Sequence, residues 1–173
     1  MIRRKLLATI LLCTVTSAWS HGPTRQKVTE SIAIAAPAEA VWKRIQDFGA
    51  LQTWHPAVES SETTKGNQIG SVRTLHLKGG GTIVEELTAH SSEKRSLSYK
   101  MKDPGPVPVS NYASTITVNA KGDGSVVEWR GGFYRGDPNN NPAPERNDDA
   151  AVAAVIGIYQ AGLGNLKKMI EAK

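Results

Sequence analysis

Cysteine is nearly missing from this chain: Cys13 is the only one in 173 residues. That excludes an internal disulfide framework and any zinc site built from several thiolates. Long apolar runs are missing too. The longest, Leu6 to Val15, is too short for a membrane-spanning helix, which needs about 20 residues. No Ser-His-Asp elbow, phosphate-cradling glycine loop, CxxCH haem site or dinucleotide fingerprint occurs, so no cofactor is expected. Internal repeats and low-complexity tracts are also lacking.

What is present begins with an address. Met1-Ile-Arg-Arg-Lys5 is basic, Leu6 to Val15 is apolar, and Thr16 to Ser20 ends in the small-residue pattern Ala18-Trp19-Ser20. These are the three parts of a secretory signal, with cleavage expected after Ser20 and a periplasmic destination. Cys13 as a lipidation site fits poorly, because Leu12 occupies a position where a small residue is expected. The full chain carries 21 basic and 16 acidic residues, a charge of +5, with a pI near 9.4. Losing residues 1–20 removes three basic residues and no acid, leaving 18 against 16, or +2. A charge this small, with no basic stripe spaced by aromatics, argues against nucleic acid as a partner. No membrane role is expected after cleavage.

Residues 21–26 (HGPTRQ) are polar and predict a mobile arm, and 27–173 predict one domain. Lys27 to Ala36 alternates as a strand. Pro37 then opens a helix carrying Val41, Trp42 and Ile45 on one face. A second short helical piece, Ala50 to Trp54, stops before Pro56. Six further alternating segments follow, from Val58 to Tyr134, interrupted by the three-proline loop Asp103 to Pro108, which a central sheet excludes. Asn147-Asp148-Asp149 offers capping chemistry for a helix from Ala150 to Lys173, with an apolar stripe through Val155, Tyr159, Leu163, Leu166 and Met169. Gly157, Gly162 and Gly164 weaken that helix by about 1 kcal/mol each, so packing has to compensate. A long antiparallel sheet has one apolar face, and the long helix is its cover; a cavity between them is the default site.

This order resembles the helix-grip fold of the Bet v 1/START-like (SRPBCC) superfamily, which includes polyketide cyclases and lipid-transfer domains. The carriers are Ile32-Ala-Ile-Ala-Ala-Pro-Ala-Glu-Ala-Val-Trp42, Asp47-Phe48 and Trp54-His-Pro56. The fold class implied is α+β, a curved antiparallel sheet of about seven strands around a long C-terminal helix, with two short helices after strand 1. Six segments are similar to periplasmic methanol-oxidation accessory proteins of the MxaD type: 21–24, 54–58, 80–87, 108–112, 127–131 and 147–152. The resemblance implies an exported accessory protein helping to couple methanol dehydrogenase to its c-type cytochrome acceptor. It supplies no catalytic residue, and the chain leans away from enzyme chemistry. A carrier of a small apolar ligand, or a cyclase- or hydrolase-like enzyme using cavity carboxylates, are the alternatives.

Candidate cavity residues are Trp54, His55, Glu85, Tyr99, Tyr112, Glu128, Arg130, Tyr134 and Tyr159. Glu85 shares a strand face with Ile83 and Leu87, and Glu128 with Val126, while Val84 and Val127/Trp129/Phe133 occupy the opposite faces. Alternation alone leaves both facings open. Inward carboxylates would have raised pKa values suited to a general base, and Arg130, beside Glu128, could neutralise either. His55 titrates near neutrality and sits where this fold has a cavity rim. The tyrosines could bring hydroxyls to an apolar pocket or simply pack. A metal is not expected. His21, freed by cleavage, would chelate copper, but His55, His76 and His90 are too scattered to help. Asp137, Asn139, Asn141 and Asp148 fall at EF-hand offsets 1, 3, 5 and 12, yet Pro142 replaces the required glycine and Asp148 is shorter than the usual Glu.

Overall fold

The computed structural model describes residues 22–172; the expected signal, its cleavage point, Cys13 and the His21 chelate lie outside the described residues. Seven strands form one sheet: β1 (Gln26–Ile34), β2 (Val58–Thr63), β3 (Val72–Leu77), β4 (Thr82–Ser91), β5 (Ser96–Asp103), β6 (Val109–Lys121) and β7 (Gly124–Arg135). Their spatial order is β1-β7-β6-β5-β4-β3-β2, antiparallel throughout. Helix α1 (Ala38–Ile45) and a 3-10 helix, Phe48–Thr53, link the two edge strands, and α2 (Asp148–Glu171) crosses the inner face. This is the helix-grip arrangement that the family resemblance implies.

Local chemistry explains the boundaries. Asp47 accepts from the Gly49 amide at the start of the 3-10 helix, and Asn147 accepts from the Ala150 amide at 2.8 Å, so α2 begins at Asp148 rather than Ala150. Helix α1 buries Ala38, Val41, Trp42 and Ile45, its one apolar face. Along α2 the buried stripe is Ala151, Val155, Tyr159, Gly162, Leu163 and Leu166. Met169, expected in that stripe, is 39% exposed, while its neighbour Ile170 packs against the core.

The expected mobile arm is anchored from Thr24 onward. The Thr24 hydroxyl donates to Asp148 Oδ2 at 3.0 Å, and Gln26 is already in β1. The Asp137 loop folds around Arg135, which is 4% exposed; its guanidinium donates to the Asp137 and Asn139 carbonyls and pairs with Asp148 Oδ2 at 3.1 Å. Asp148 therefore holds the N-terminal arm and this loop to the start of α2.

Two irregularities shape the sheet. The β4–β5 register shifts on either side of the Glu85–Leu87 stretch, and the N-terminal end of β6 is offset against β7 between Ser110 and Ala113, with Asn111 at φ 48°. Such bulges bend a strand and re-aim its side chains. They lie beside the cavity.

The candidate site: a small cavity between sheet and long helix

A cavity of about 190 Å³ lies between the sheet and α2. Leu51, Leu75, Ile83, Met101, Val107 and Ile158 give it apolar walls, and Glu85 is the only carboxylate among its lining residues. The strand alternation resolves differently on the two strands in question. Glu85 points inward with Ile83 and Leu87, whereas on β7 the inward residues are Val127, Trp129 and Phe133. Glu128 therefore lies on the outer face with Arg130, and Tyr134 is outward as well. These three do not line the cavity, because Trp129 and Phe133 hold the alternate positions that the helix covers.

Glu85 finds its partner on the neighbouring strand. Arg73 stands directly opposite it in the β3–β4 register. Its Nε meets Glu85 Oε2 at 2.6 Å, with both side chains within 4% of full burial. Arg73 Nη1 also donates to the Phe48 carbonyl at 2.8 Å, and its guanidinium lies 4.2 Å from the Phe48 ring centroid and 4.9 Å from that of Tyr99. Burial pushes the Glu85 carboxyl above its ordinary range, and Arg73 pulls it back. Arg73 was missing from the sequence candidates. Its signal was present, since Arg73, Leu75 and Leu77 share one strand face, but an arginine on an apolar face is legible only once its partner is known.

His55 is buried, at 4% exposure. Its ring rests on the backbone of α2: Nε2 donates to the Ile158 carbonyl at 3.0 Å, and Nδ1 accepts from the Ala57 amide at 3.3 Å. A carbonyl can only accept and an amide N–H can only donate, so the imidazole is neutral with its proton on Nε2. Desolvation lowers its pKa below 6.5; the Ile158 bond opposes this and the Arg73 charge adds to it. Both ring nitrogens are occupied, which ties His55 to helix docking rather than to a solvated rim. Gly162 permits that docking, for a Cβ there would come within 2.6 Å of His55 Cδ2 and 2.9 Å of Trp129 Cζ3. Gly157 and Gly164 face open space.

The tyrosines form one directed chain of hydroxyls. Ser114 Oγ donates to the Arg130 carbonyl at 2.8 Å, so it must accept from Tyr159 OH at 2.9 Å. Tyr159 in turn accepts from Tyr112 OH at 2.6 Å. Trp129 Nε1 donates to both Ser114 Oγ, at 3.0 Å, and Tyr99 OH, at 3.1 Å. Burial raises all three phenols, Tyr159 to about 12 and Tyr112 and Tyr99 further. They stay neutral at physiological pH. Tyr159 stacks on Trp129 at 4.5 Å between centroids, and its hydroxyl fits only because Gly131 carries no side chain. Trp54 packs against Trp129 at 5.6 Å, as a wall of the aromatic cluster behind the pocket. Ser114 is the second residue that sequence reading missed.

Among the described residues no group of three or more His, Cys, Asp or Glu could hold a metal, and no helix is long and apolar enough to cross a membrane. The cavity is therefore a small apolar chamber, with one compensated ion pair and neutral phenols at its polar side.

That fold and cavity define a class, the helix-grip domains. Residues 25–171 match the family of polyketide cyclase/dehydrase and lipid transport proteins, and the chain belongs to that family. Among solved structures it is similar to the protein XoxI from Bacillus cereus, at 32% identity over 84% of this chain and 96% of that one, with a TM-score of 0.72. A protein from Nitrosospira multiformis is 26% identical over 85% and 97% of the two chains, with a TM-score of 0.68. Norcoclaurine synthase from Thalictrum flavum, solved with dopamine and hydroxybenzaldehyde, is 18% identical over 96% and 99%, with a TM-score of 0.64, and shares the fold.

Proposed function

We propose that this chain is an exported binding protein that holds one small, mostly apolar molecule between sheet and α2 without transforming it. The observation that carries this reading is a 190 Å³ apolar cavity whose ionisable groups are already engaged, Glu85 by Arg73 and His55 by the backbone. General base catalysis needs a group free to take a proton from the substrate. A cavity of about 150 Å³ accepts benzene, so this one suits a single ring with a small polar substituent turned toward Glu85 and Tyr112. The test is a thermal-shift titration with p-cresol as probe, beside native mass spectrometry of protein purified from the periplasm. Probe at a hundred times its Kd adds about 2.7 kcal/mol, which raises the melting temperature by roughly 5–11 °C for a domain this size. Leu75→Trp, which fills the chamber, should abolish the shift. No shift with the native protein, or an equal shift in the filled variant, overturns the reading.

A finer reading concerns the setting. The six segments resembling MxaD-type proteins support a periplasmic role beside methanol oxidation, in which the chain helps a methanol dehydrogenase pass electrons to a c-type cytochrome. An electron-transfer assay with purified dehydrogenase and cytochrome tests it. Acceleration at low ionic strength supports the role, and an unchanged rate refutes it. Mass spectrometry of the exported protein should show a chain beginning at His21.

A further inference from the structure

The outer face of the sheet carries a second concavity, about 380 Å³, whose inner end reaches Tyr99, Ser114 and Gly131. Its floor is bare because Gly132 of β7 stands opposite Ala113 of β6. Around that floor are three cations. Lys27 lies opposite Gly132 and Arg130 opposite Thr29, which makes Lys27 and Arg130 diagonal neighbours across β1 and β7. The Arg25 guanidinium lies over Gly132, where a Cβ would come within 2.7 Å of its Nη2. On the far side runs a row of hydroxyls from Thr115, Ser98 and Thr88, with Ser98 and Thr115 bonded to each other at 2.8 Å.

Charge on this face is not evenly balanced. Lys100 and Lys102 are both paired with Glu86, at 3.1 and 3.4 Å. None of Arg25, Lys27 and Arg130 has a carboxylate within 4.0 Å among the described residues; Glu128, two residues before Arg130 on the same face, makes no ion pair with it. Arg25 rests instead on the Tyr134 ring, 5.9 Å from its centroid. Three cations without an ion pair thus stand around one groove.

We propose that this groove docks an acidic stretch of a partner protein, laid across β1, β7 and β6 with its carboxylates on Arg25, Lys27 and Arg130. All three cations are exposed on long stems, and one exposed ion pair contributes only about 0–1 kcal/mol. A lone small anion gains too little there, whereas an extended chain adds several such contacts and is steered by the summed field. The inference is independent of the cavity reading.

Fluorescence anisotropy of a labelled octaglutamate peptide with the mature chain tests it, at about 20 mM and about 200 mM salt. The double variant Lys27→Gln/Arg130→Gln should weaken binding about tenfold or more. Lys100→Gln/Lys102→Gln, which removes the same charge from the same face, should change it less than about twofold. Arg25→Gln alone should cost about threefold, and unchanged urea midpoints establish that all variants fold. Equal weakening by the two double variants overturns the proposal, as does no binding at low salt. It is also overturned if inorganic phosphate displaces the peptide at equal concentration, which marks a small-anion site. Preferential binding of phosphatidylglycerol vesicles, which marks a lipid surface, overturns it as well.

Discussion

Arg73→Met is the most informative single perturbation. It removes the 2.6 Å contact to Glu85 and the 2.8 Å hydrogen bond to the Phe48 carbonyl while keeping an unbranched side chain of similar length in the space. Glu85, at 3% exposure, is then left without the cation that compensates its charged form. Breaking one side of a buried pair costs about 3–5 kcal/mol, because the remaining charge has lost its compensation. For a urea dependence of about 2 kcal/mol per molar, the unfolding midpoint falls by roughly 1.5–2.5 M. The pH dependence has a definite sign. In the native protein burial raises the Glu85 pKa and Arg73 lowers it; in the variant only the raising cause remains. The folded carboxyl then binds its proton more tightly than the unfolded one, so the penalty is complete above the folded pKa. It shrinks as pH falls through that value and vanishes below the ordinary value of 4.5. The difference from wild type therefore widens as pH rises from 4.5 through the folded value and closes toward pH 4. Arg73→Met/Glu85→Met, with neither charge, should recover to within about 1–2 kcal/mol of wild type. The assay is urea unfolding of the three variants and wild type across this pH range. A loss under about 1 kcal/mol at neutral pH, a loss that ignores pH, or a double variant as weak as the single one refutes the reasoning.

Further outcomes follow from the same geometry. Gly162→Ala should destabilise by about 1–3 kcal/mol through overpacking against His55 and Trp129, although alanine is the better helix former. Gly157→Ala, in open space, should stabilise by about 0.5–1 kcal/mol, so a urea series in which both move the same way contradicts the packing account. Tyr159→Phe removes the link between Tyr112 and Ser114 and should cost about 1–3 kcal/mol, with thermal unfolding as the readout. His55 is held below 6.5 in the fold, so its unfolded form takes up a proton first. Stability should decline as pH falls from 6.5 toward the folded value, by at most about 1.4 kcal/mol per pH unit. His55→Gln should flatten that slope, and an unchanged slope would assign it to another group.

Much of the fold was legible because its signals are local. Val58–Thr63 came out with the boundaries that alternation predicts, and α1 followed Pro37 as its apolar spacing requires. The Asn147 cap marked the start of α2 to within two residues. The site was legible only in part. Trp54, His55, Glu85, Tyr99, Tyr112 and Tyr159 do converge on the cavity and the cluster behind it, whereas Glu128, Arg130 and Tyr134 belong to the outer face. Alternation tells which residues share a face but not which face is covered, and each bulge reverses the count.

The chain by itself determined the order of its elements, because strand period, proline positions and caps act over a few residues. It also settled the absence of a thiol framework, since composition needs no folding to be read. Only the tertiary structure decided that Glu85 meets Arg73, that His55 spends both ring nitrogens on backbone, and that a side chain at Gly162 would meet His55 and Trp129 where one at Gly157 would meet open space. Those outcomes depend on which strand lies opposite which and where α2 presses on the sheet, and long-range packing sets both.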